Sequence, residues 1–275
     1  MGALGLVIPD FANPVYATIM RSAAGRAEEL GYAMLMGEIR RTERDSSGPV
    51  FRRLVREQRI DGLIVATAQN SDSLLDELNR VRVPHVLAHR RTPKAEHSVI
   101  LDDEGAAGLA AEYLAQCGHT HLGVVIGPLN IDTSQRRLAG FVGKCQELGL
   151  PEPVVESREF TAAGGFDGVT ALLAASPRPT AIFVSNLLAS TGALAGLHAR
   201  GITVPDDMSV ISYDDDDLAN YTIPALTTIA VPYDELGRVA VDTVDQVLRG
   251  QQPGNIVVST PAAVIERSTV ARCAN

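Results

Sequence analysis

Short, near-continuously apolar runs recur along this chain at 4–8, 62–66, 84–88, 122–126, 181–184, 209–213 and 228–231. A strand that is apolar on both sides must be covered on both, so such runs belong to parallel sheets with helices above and below. The segments between them carry helical spacing. Leu138, Phe141, Val142, Cys145 and Leu148 share one face, and Leu236, Val239, Ala240, Thr243, Val244, Val247 and Leu248 share another. Gly31, Gly118, Gly149, Gly201 and Gly250 sit where these helices should stop. The alternation predicts a doubly wound α/β fold. About nine strands in this order are too many for one compact sheet, so two sheets are expected. The joint lies near Leu101 and has no Pro/Gly/Ser-rich linker; 99–104 reads as a strand running directly into a helix.

Composition narrows the function. The 275 residues include 24 Lys+Arg and 33 Asp+Glu, a formal charge of −9. An acidic chain without clustered cations is not built to grip nucleic acid by itself. Hydrophobic residues at 45% and charged residues at 21% describe a globular protein. No run approaches the ~20 apolar residues that span a bilayer, and the first residues enter a strand without a basic leader. Three dispersed cysteines fit a reducing cytosol and neither a disulfide framework nor a zinc site. The expected location is cytoplasmic, with no membrane partner.

Signatures of catalysis and nucleotide binding fail. Gly164, Gly165 and Gly168 have the wrong spacing for a dinucleotide loop. Gly143-Lys144 lacks a Walker glycine at Leu138 and has Cys145 in place of Ser/Thr. No nucleophile elbow is present. No catalytic residue, cofactor or metal is expected, and His119-Thr120-His121, at a helix-to-strand turn, reads as structural. More informative are polar residues at the carboxyl ends of strands, where doubly wound folds collect ligands. His89 follows the run 84–88, and Asp214 follows 209–213. The rest of the run Asp215-Asp216-Asp217 reads as a solvated loop. Arg136-Arg137 opens a helix beginning near Ser134, an awkward place for cations unless they reach an anion or hydroxyls. Phe160, in polar surroundings, suits stacking on a ligand as well as ordinary packing.

Several stretches in order carry a family likeness: Gly5-Leu-Val-Ile-Pro-Asp-Phe-Ala-Asn-Pro14, Ile60-Asp-Gly-Leu-Ile-Val65, Arg137-Leu-Ala-Gly-Phe141 and Pro179-Thr-Ala-Ile-Phe-Val-Ser-Asn186. Val204-Pro-Asp-Asp-Met-Ser-Val-Ile-Ser-Tyr-Asp-Asp215, Pro224-Ala-Leu-Thr-Thr-Ile229 and Glu266-Arg-Ser-Thr269 continue it. Over essentially its whole length the chain resembles the effector-binding core of the lactose-repressor/galactose-repressor (LacI/GalR) family of bacterial transcription regulators.

The resemblance implies two Rossmann-like lobes of periplasmic-binding-protein type I, joined by three crossovers near 101–104, 229–233 and 257–260. Residues 1–101 plus 233–256 would form one lobe, and 102–232 plus 257–275 the other. It implies an effector cleft lined by Asn13, Val15, Tyr16, Ile19, His89, Thr133, Arg137, Phe160, Asn186, Asp214 and Tyr233. The effector would be a small molecule, a sugar or related ring compound, that shifts an open–closed equilibrium controlling operator binding by a repressor. His89 replaces a common acid, Leu187 follows Asn186 where an Asp is usual, and Val231 replaces a frequent Gln. These departures imply a less acidic cleft. With His89, Arg90 and Arg137 close together, they favour an anionic ring ligand, the alternative being a neutral sugar held by His89 and Asp214. A parallel homodimer is expected, with helices such as 71–81 at the contact. The family's helix-turn-helix headpiece has no counterpart in these residues, and Met1 reads as an expression start. The expectation is a core that binds operator DNA only through such a headpiece. The rivals are a solute-binding protein of a sugar transporter and an enzyme with an unrecognised site.

Overall fold

The computed structural model describes residues 2–38, 57, 59–66 and 73–273. The chain divides into two compact units, Met1–Leu101 with Pro232–Thr260, and Asp102–Val231 with Pro261–Asn275. Residues 257–260 therefore fall in the first unit, where the lobe assignment implied by the resemblance had them in the second, while the unit boundary after Thr260 lies at the expected crossover. The reason is backbone pairing: Val257 lies opposite Ile100, and the Val258 N–H donates to the Ile100 carbonyl at 2.8 Å. Pro232 likewise falls in the first unit.

In the first unit the strands are β1 (Gly2–Ile8), β2 (Tyr32–Glu38), β3 (Gly62–Val65), β4 (His85–Ala88), β5 (Ser98–Ile100) and β11 (Asn255–Val257). They form one sheet in the order β11-β5-β4-β3-β1-β2, parallel throughout. Its helices are α1 (Pro14–Glu29), α2 (Ser73–Val81) and α7 (Tyr233–Leu248). Alternate residues face opposite layers. Val7, Leu63, Val65 and Leu87 pack with Leu75 and Leu78 of α2. On the other side Gly62 lets α7 approach, since a Cβ there would stand 2.8 Å from Val244.

The second unit holds α3 (Asp103–Gln116), β6 (Leu122–Ile126), α4 (Asp132–Glu147), β7 (Val154–Ser157), α5 (Ala162–Leu172), β8 (Ala181–Val184), α6 (Leu187–His198), β9 (Ser209–Tyr213), β10 (Thr227–Ala230) and β12 (Ala263–Ile265). The sheet order is β12-β10-β9-β8-β6-β7. Val124, Phe183 and Ile211 pack with α3 and α4, whereas their neighbours Val125, Ile182 and Val210 pack with α5 and α6. Phe141 and Phe183 stack at 4.9 Å within the first of these layers. Only β12 runs antiparallel, against β10. A short terminal strand arriving at a sheet edge needs no crossover helix, and an antiparallel edge on a parallel sheet is a common solution.

Twelve strands among the described residues exceed the expected nine. The unforeseen ones, β2, β11 and β12, are sheet edges. Their residues are partly or fully exposed, so they lack the two-sided apolar run that marks a central strand. All five glycines read as helix stops have left-handed backbones, φ +68° to +89°. Gly201 isolates this effect, because a Cβ there would meet nothing within 4 Å. Gly201→Ala should cost about 1–2 kcal/mol from backbone strain alone, measured by urea unfolding. A loss below a few tenths of a kcal/mol would contradict it. No helix among the described residues is long and apolar enough to cross a membrane.

Candidate functional site

Each unit gathers its expected ligand residues at the carboxyl ends of its strands. In the first, β1 ends at Ile8 and the chain turns into α1 through Asn13. The Asn13 Oδ1 caps the helix by accepting from the Val15 N–H at 3.3 Å, and Pro14 fits the first turn, where no N–H is needed. Val15, Tyr16 and Ile19 are buried along this helix. His89 follows β4 with a left-handed backbone, φ +68°, and its N–H donates to the Val99 carbonyl at 2.8 Å. The Tyr16 and His89 ring centroids lie 6.4 Å apart, edge to face. Tyr233, at the start of α7, meets His89 in the same manner at 5.5 Å. Three rings from distant parts of the sequence thus form one aromatic cluster around an imidazole.

In the second unit a buried charge network supports the strand ends. Asp103, fully buried in the first turn of α3, accepts from Arg137 Nε at 2.7 Å and from the Tyr213 hydroxyl at 3.0 Å, and pairs with Arg136. Arg136 also reaches Asp132 at 2.9 Å. Burial disfavours the Arg136 charge, but Asp103 and Asp132 outweigh that and raise its pKa. Arg137 donates to the Ser185 carbonyl at 2.6 Å and lies 3.9 Å from Asp214. Its guanidinium sits 3.7 Å above the Tyr213 ring. Burial, then Asp103, pushes the Tyr213 hydroxyl well above its ordinary pKa, so it remains a proton donor.

Arg136-Arg137 were expected to reach from a helix start towards an anion or hydroxyls, and the structure supplies an internal anion for both. The helix begins at Asp132, which puts both arginines beyond its first residues, and the anion they seek is Asp103. Two guanidiniums, Arg136 and Arg137, face three carboxylates, Asp103, Asp132 and Asp214. An added anion would find no cationic surplus in this network.

Around the network, Asp214 closes β9 with φ +74° and accepts from the Leu187 N–H at 3.4 Å. Asn186 caps α6, its Oδ1 accepting from the Ala189 N–H at 2.9 Å. The Asn186 Nδ2 is buried and has no hydrogen-bond partner among the described residues. The buried Ser134 Oγ, in the first turn of α4 beside buried Thr133, is in the same position. The tip of the Phe160 ring packs against Gly127, just after β6, where a Cβ would fall 2.1 Å from its Cζ. Gly127 is held by its N–H to Ser185 Oγ at 3.2 Å and its carbonyl to Ser157 Oγ at 3.1 Å. Thus Thr133, Arg137, Phe160, Asn186 and Asp214 all lie at or beside strand carboxyl ends.

Sequence reasoning missed Asp103, Tyr213, Ser185 and Gly127. Tyr213 was legible only as a strand residue, and Asp103 as one of several acids opening a helix. His119 is structural: its Nδ1 contacts Thr180 Oγ1 at 2.9 Å and its Nε2 the Ala271 carbonyl at 3.1 Å. No group of three or more His, Cys, Asp and Glu among the described residues could hold a metal.

A periplasmic binding protein-like domain family matches residues 111–270. The HTH-type transcriptional regulator DegA of Bacillus subtilis (strain 168) is 31% identical over 274 residues, 97% of this chain and 80% of that protein. A LacI family transcriptional regulator from Mycobacterium smegmatis superposes with a TM-score of 0.90 at 31% identity, covering 98% of this chain and 99% of that one. The transcriptional regulator CelR–cellobiose complex is 25% identical, with a TM-score of 0.88 over 97% of this chain and 84% of that one. A dimeric Lac repressor is 26% identical, with a TM-score of 0.83 over 98% of this chain and 100% of that one.

Proposed function

Because the chain belongs to the LacI family of transcriptional regulators, as an effector-binding core of periplasmic-binding-protein-like fold, we propose that it is the sensing and self-associating part of a cytoplasmic repressor whose effector is a neutral, hydroxylated ring compound. The observation that carries this reading is the Asn186 Nδ2, a buried donor without a partner among the described residues, one position before Leu187, whose N–H meets the Asp214 carboxylate. A buried donor left unsatisfied costs about 1–3 kcal/mol, and a ligand hydroxyl relieves that cost. Asp214 then accepts from hydroxyls, Phe160 offers an apolar ring, and the network behind them, with more carboxylates than guanidiniums, disfavours a ligand anion. In the first unit Asn13, Val15, Tyr16, Ile19, His89 and Tyr233 complete the proposed effector set; Thr133, Arg137, Phe160, Asn186 and Asp214 are its members in the second. Engagement of both sets biases an open–closed equilibrium, which a headpiece transmits to operator DNA. The relatives are regulators and not transporter components or enzymes, so neither rival is favoured.

A thermal-shift and calorimetry series over neutral mono- and disaccharides, sugar acids and purines tests this reading, since a bound effector raises the unfolding midpoint by mass action. A neutral sugar should be the best ligand. Asn186→Ser keeps an oxygen for capping α6 but removes the amide donor. It should weaken that sugar at least tenfold, about 1.4 kcal/mol, with the unfolding midpoint nearly unchanged. Equal affinity in both proteins, or selective binding of sugar acids, would overturn it.

Self-association has its own support. Tyr221 and Ile223 in the second unit are 75% and 95% exposed, with Leu218 beside them at 53%. Clustered large apolar side chains in water mark contact surfaces. Helix α2 remains a further proposed contact; residues 71 and 72 of that expectation lie outside the described residues. Ile223→Asp should weaken the homodimer at least tenfold, about 1.4 kcal/mol, in sedimentation equilibrium. An unchanged dimer constant would remove this surface from the interface.

A further inference from the structure

A separate cavity of about 260 Å³ opens in the first unit, lined among others by His85, His97, Leu78, Val83 and Val247. It lies where β4, β5 and β11 begin. His89 follows the other end of β4, about 13 Å away at 3.3 Å per residue, and is not part of its lining. The cavity therefore uses none of the proposed effector residues.

Backbone partners set complementary roles for the two imidazoles. The His85 Nδ1 lies 2.8 Å from the Val83 carbonyl, so it carries the proton and Nε2 keeps its lone pair. The His97 Nδ1 instead receives the Gly254 N–H at 3.2 Å, so in the neutral ring the proton sits on Nε2. One ring thus offers an acceptor and its neighbour a donor. The two are close enough that His97, after burial, contributes to holding the His85 pKa below its ordinary value; the bond to Val83 and the charge of Glu96 oppose this.

The surroundings limit what such a pair could hold. Leu78 is 1% exposed and supplies an apolar floor with Val83 and Val247. Arg82 and Glu96, both exposed and of opposite sign, also line the cavity, so it presents no net charge. A volume just below the roughly 300 Å³ at which drug-sized sites begin accommodates one ring and not a nucleoside or disaccharide. We propose that this cavity is a second small-molecule site, for an uncharged single-ring compound with an amide edge whose N–H donates to His85 Nε2 and whose carbonyl accepts from His97 Nε2. Neither imidazole can exchange its role without breaking a backbone hydrogen bond, so the site selects the amide edge in one orientation.

The test is a titration of the 275-residue protein at pH 7.5 with nicotinamide, with N,N-dimethylnicotinamide as the matched probe lacking the donor. Imidazole ¹⁵N shifts are followed by NMR, with His85 and His97 assigned from single His→Gln variants. Saturable movement of His85 Nε2 and His97 Nε2, with His89 unmoved and at least tenfold weaker binding of the dimethyl probe, is the expected result. His85→Phe should abolish the effect on His97 while the circular dichroism spectrum is retained. The two-probe comparison on the unaltered chain stands even if that variant fails to fold. No saturable shift up to the solubility limit, equal binding of both probes, or movement confined to His89 would overturn the proposal. Failure here leaves the sugar series on Asn186 untouched, because the two sites share no residue.

Discussion

Asp103→Ala should lower the stability of the protein by about 3–5 kcal/mol, a fall of roughly 8–15 °C in the unfolding midpoint for a domain of this size. The side chain is fully buried and gathers Arg136, Arg137 and the Tyr213 hydroxyl. Removing it leaves two buried guanidiniums short of countercharge. Arg136 retains Asp132, but Arg137 keeps only the Ser185 carbonyl and Asp214 at 3.9 Å among its partners described above. Scanning calorimetry with chemical denaturation checks the prediction, and a loss below 1 kcal/mol would show the network to be dispensable. Effector binding should fall as well, because Arg137 links Asp103 to the strand end that carries Asp214. Arg137→Ala is accordingly not the clean binding variant that its place in the sequence suggests; it disturbs the same buried network.

Gly192→Val should be comparably damaging, at about 3 kcal/mol. Helices α5 and α6 touch through glycine. A Cβ on Gly192 would stand 1.7 Å from the Ala162 carbonyl oxygen, and one on Gly165 would stand 1.8 Å from that of Ala189. Both clashes are with backbone, so no side chain can rotate away. The helices must separate, and α6 carries Asn186 at its cap. Loss of stability and weakened effector affinity should therefore appear together. Gly143→Ala is the control: it lies inside α4 with nothing within 4 Å of its Cβ position. There the extra methyl should stabilise by about 0.5–1 kcal/mol. Destabilisation at Gly143, or tolerance at Gly192, would show that the close helix contact is not what holds α6 in place.

Much of the architecture was legible in the amino-acid sequence because its signals are local. A central strand covered on both faces must be apolar at every position, as in 122–126 and 181–184, and five glycines mark helix ends because only glycine enters the left-handed region freely. Edge strands β2, β11 and β12 escaped because exposure on one side removes that constraint. Strand carboxyl ends singled out His89 and Asp214 because a doubly wound chain must place its connecting loops there, whereas Asn186 was reached only through the family resemblance. The direction and partners of each side chain were another matter. Arg137 looked like a cation in search of an anion, yet its countercharge comes from Asp103, 34 positions away in the chain. No periodicity links those two residues; only the packing of α3 against α4 brings them together. His85 and His97 likewise look alike in the sequence. Their opposite tautomers come from a carbonyl at Val83 and an N–H at Gly254, which only the assembled sheet places beside them.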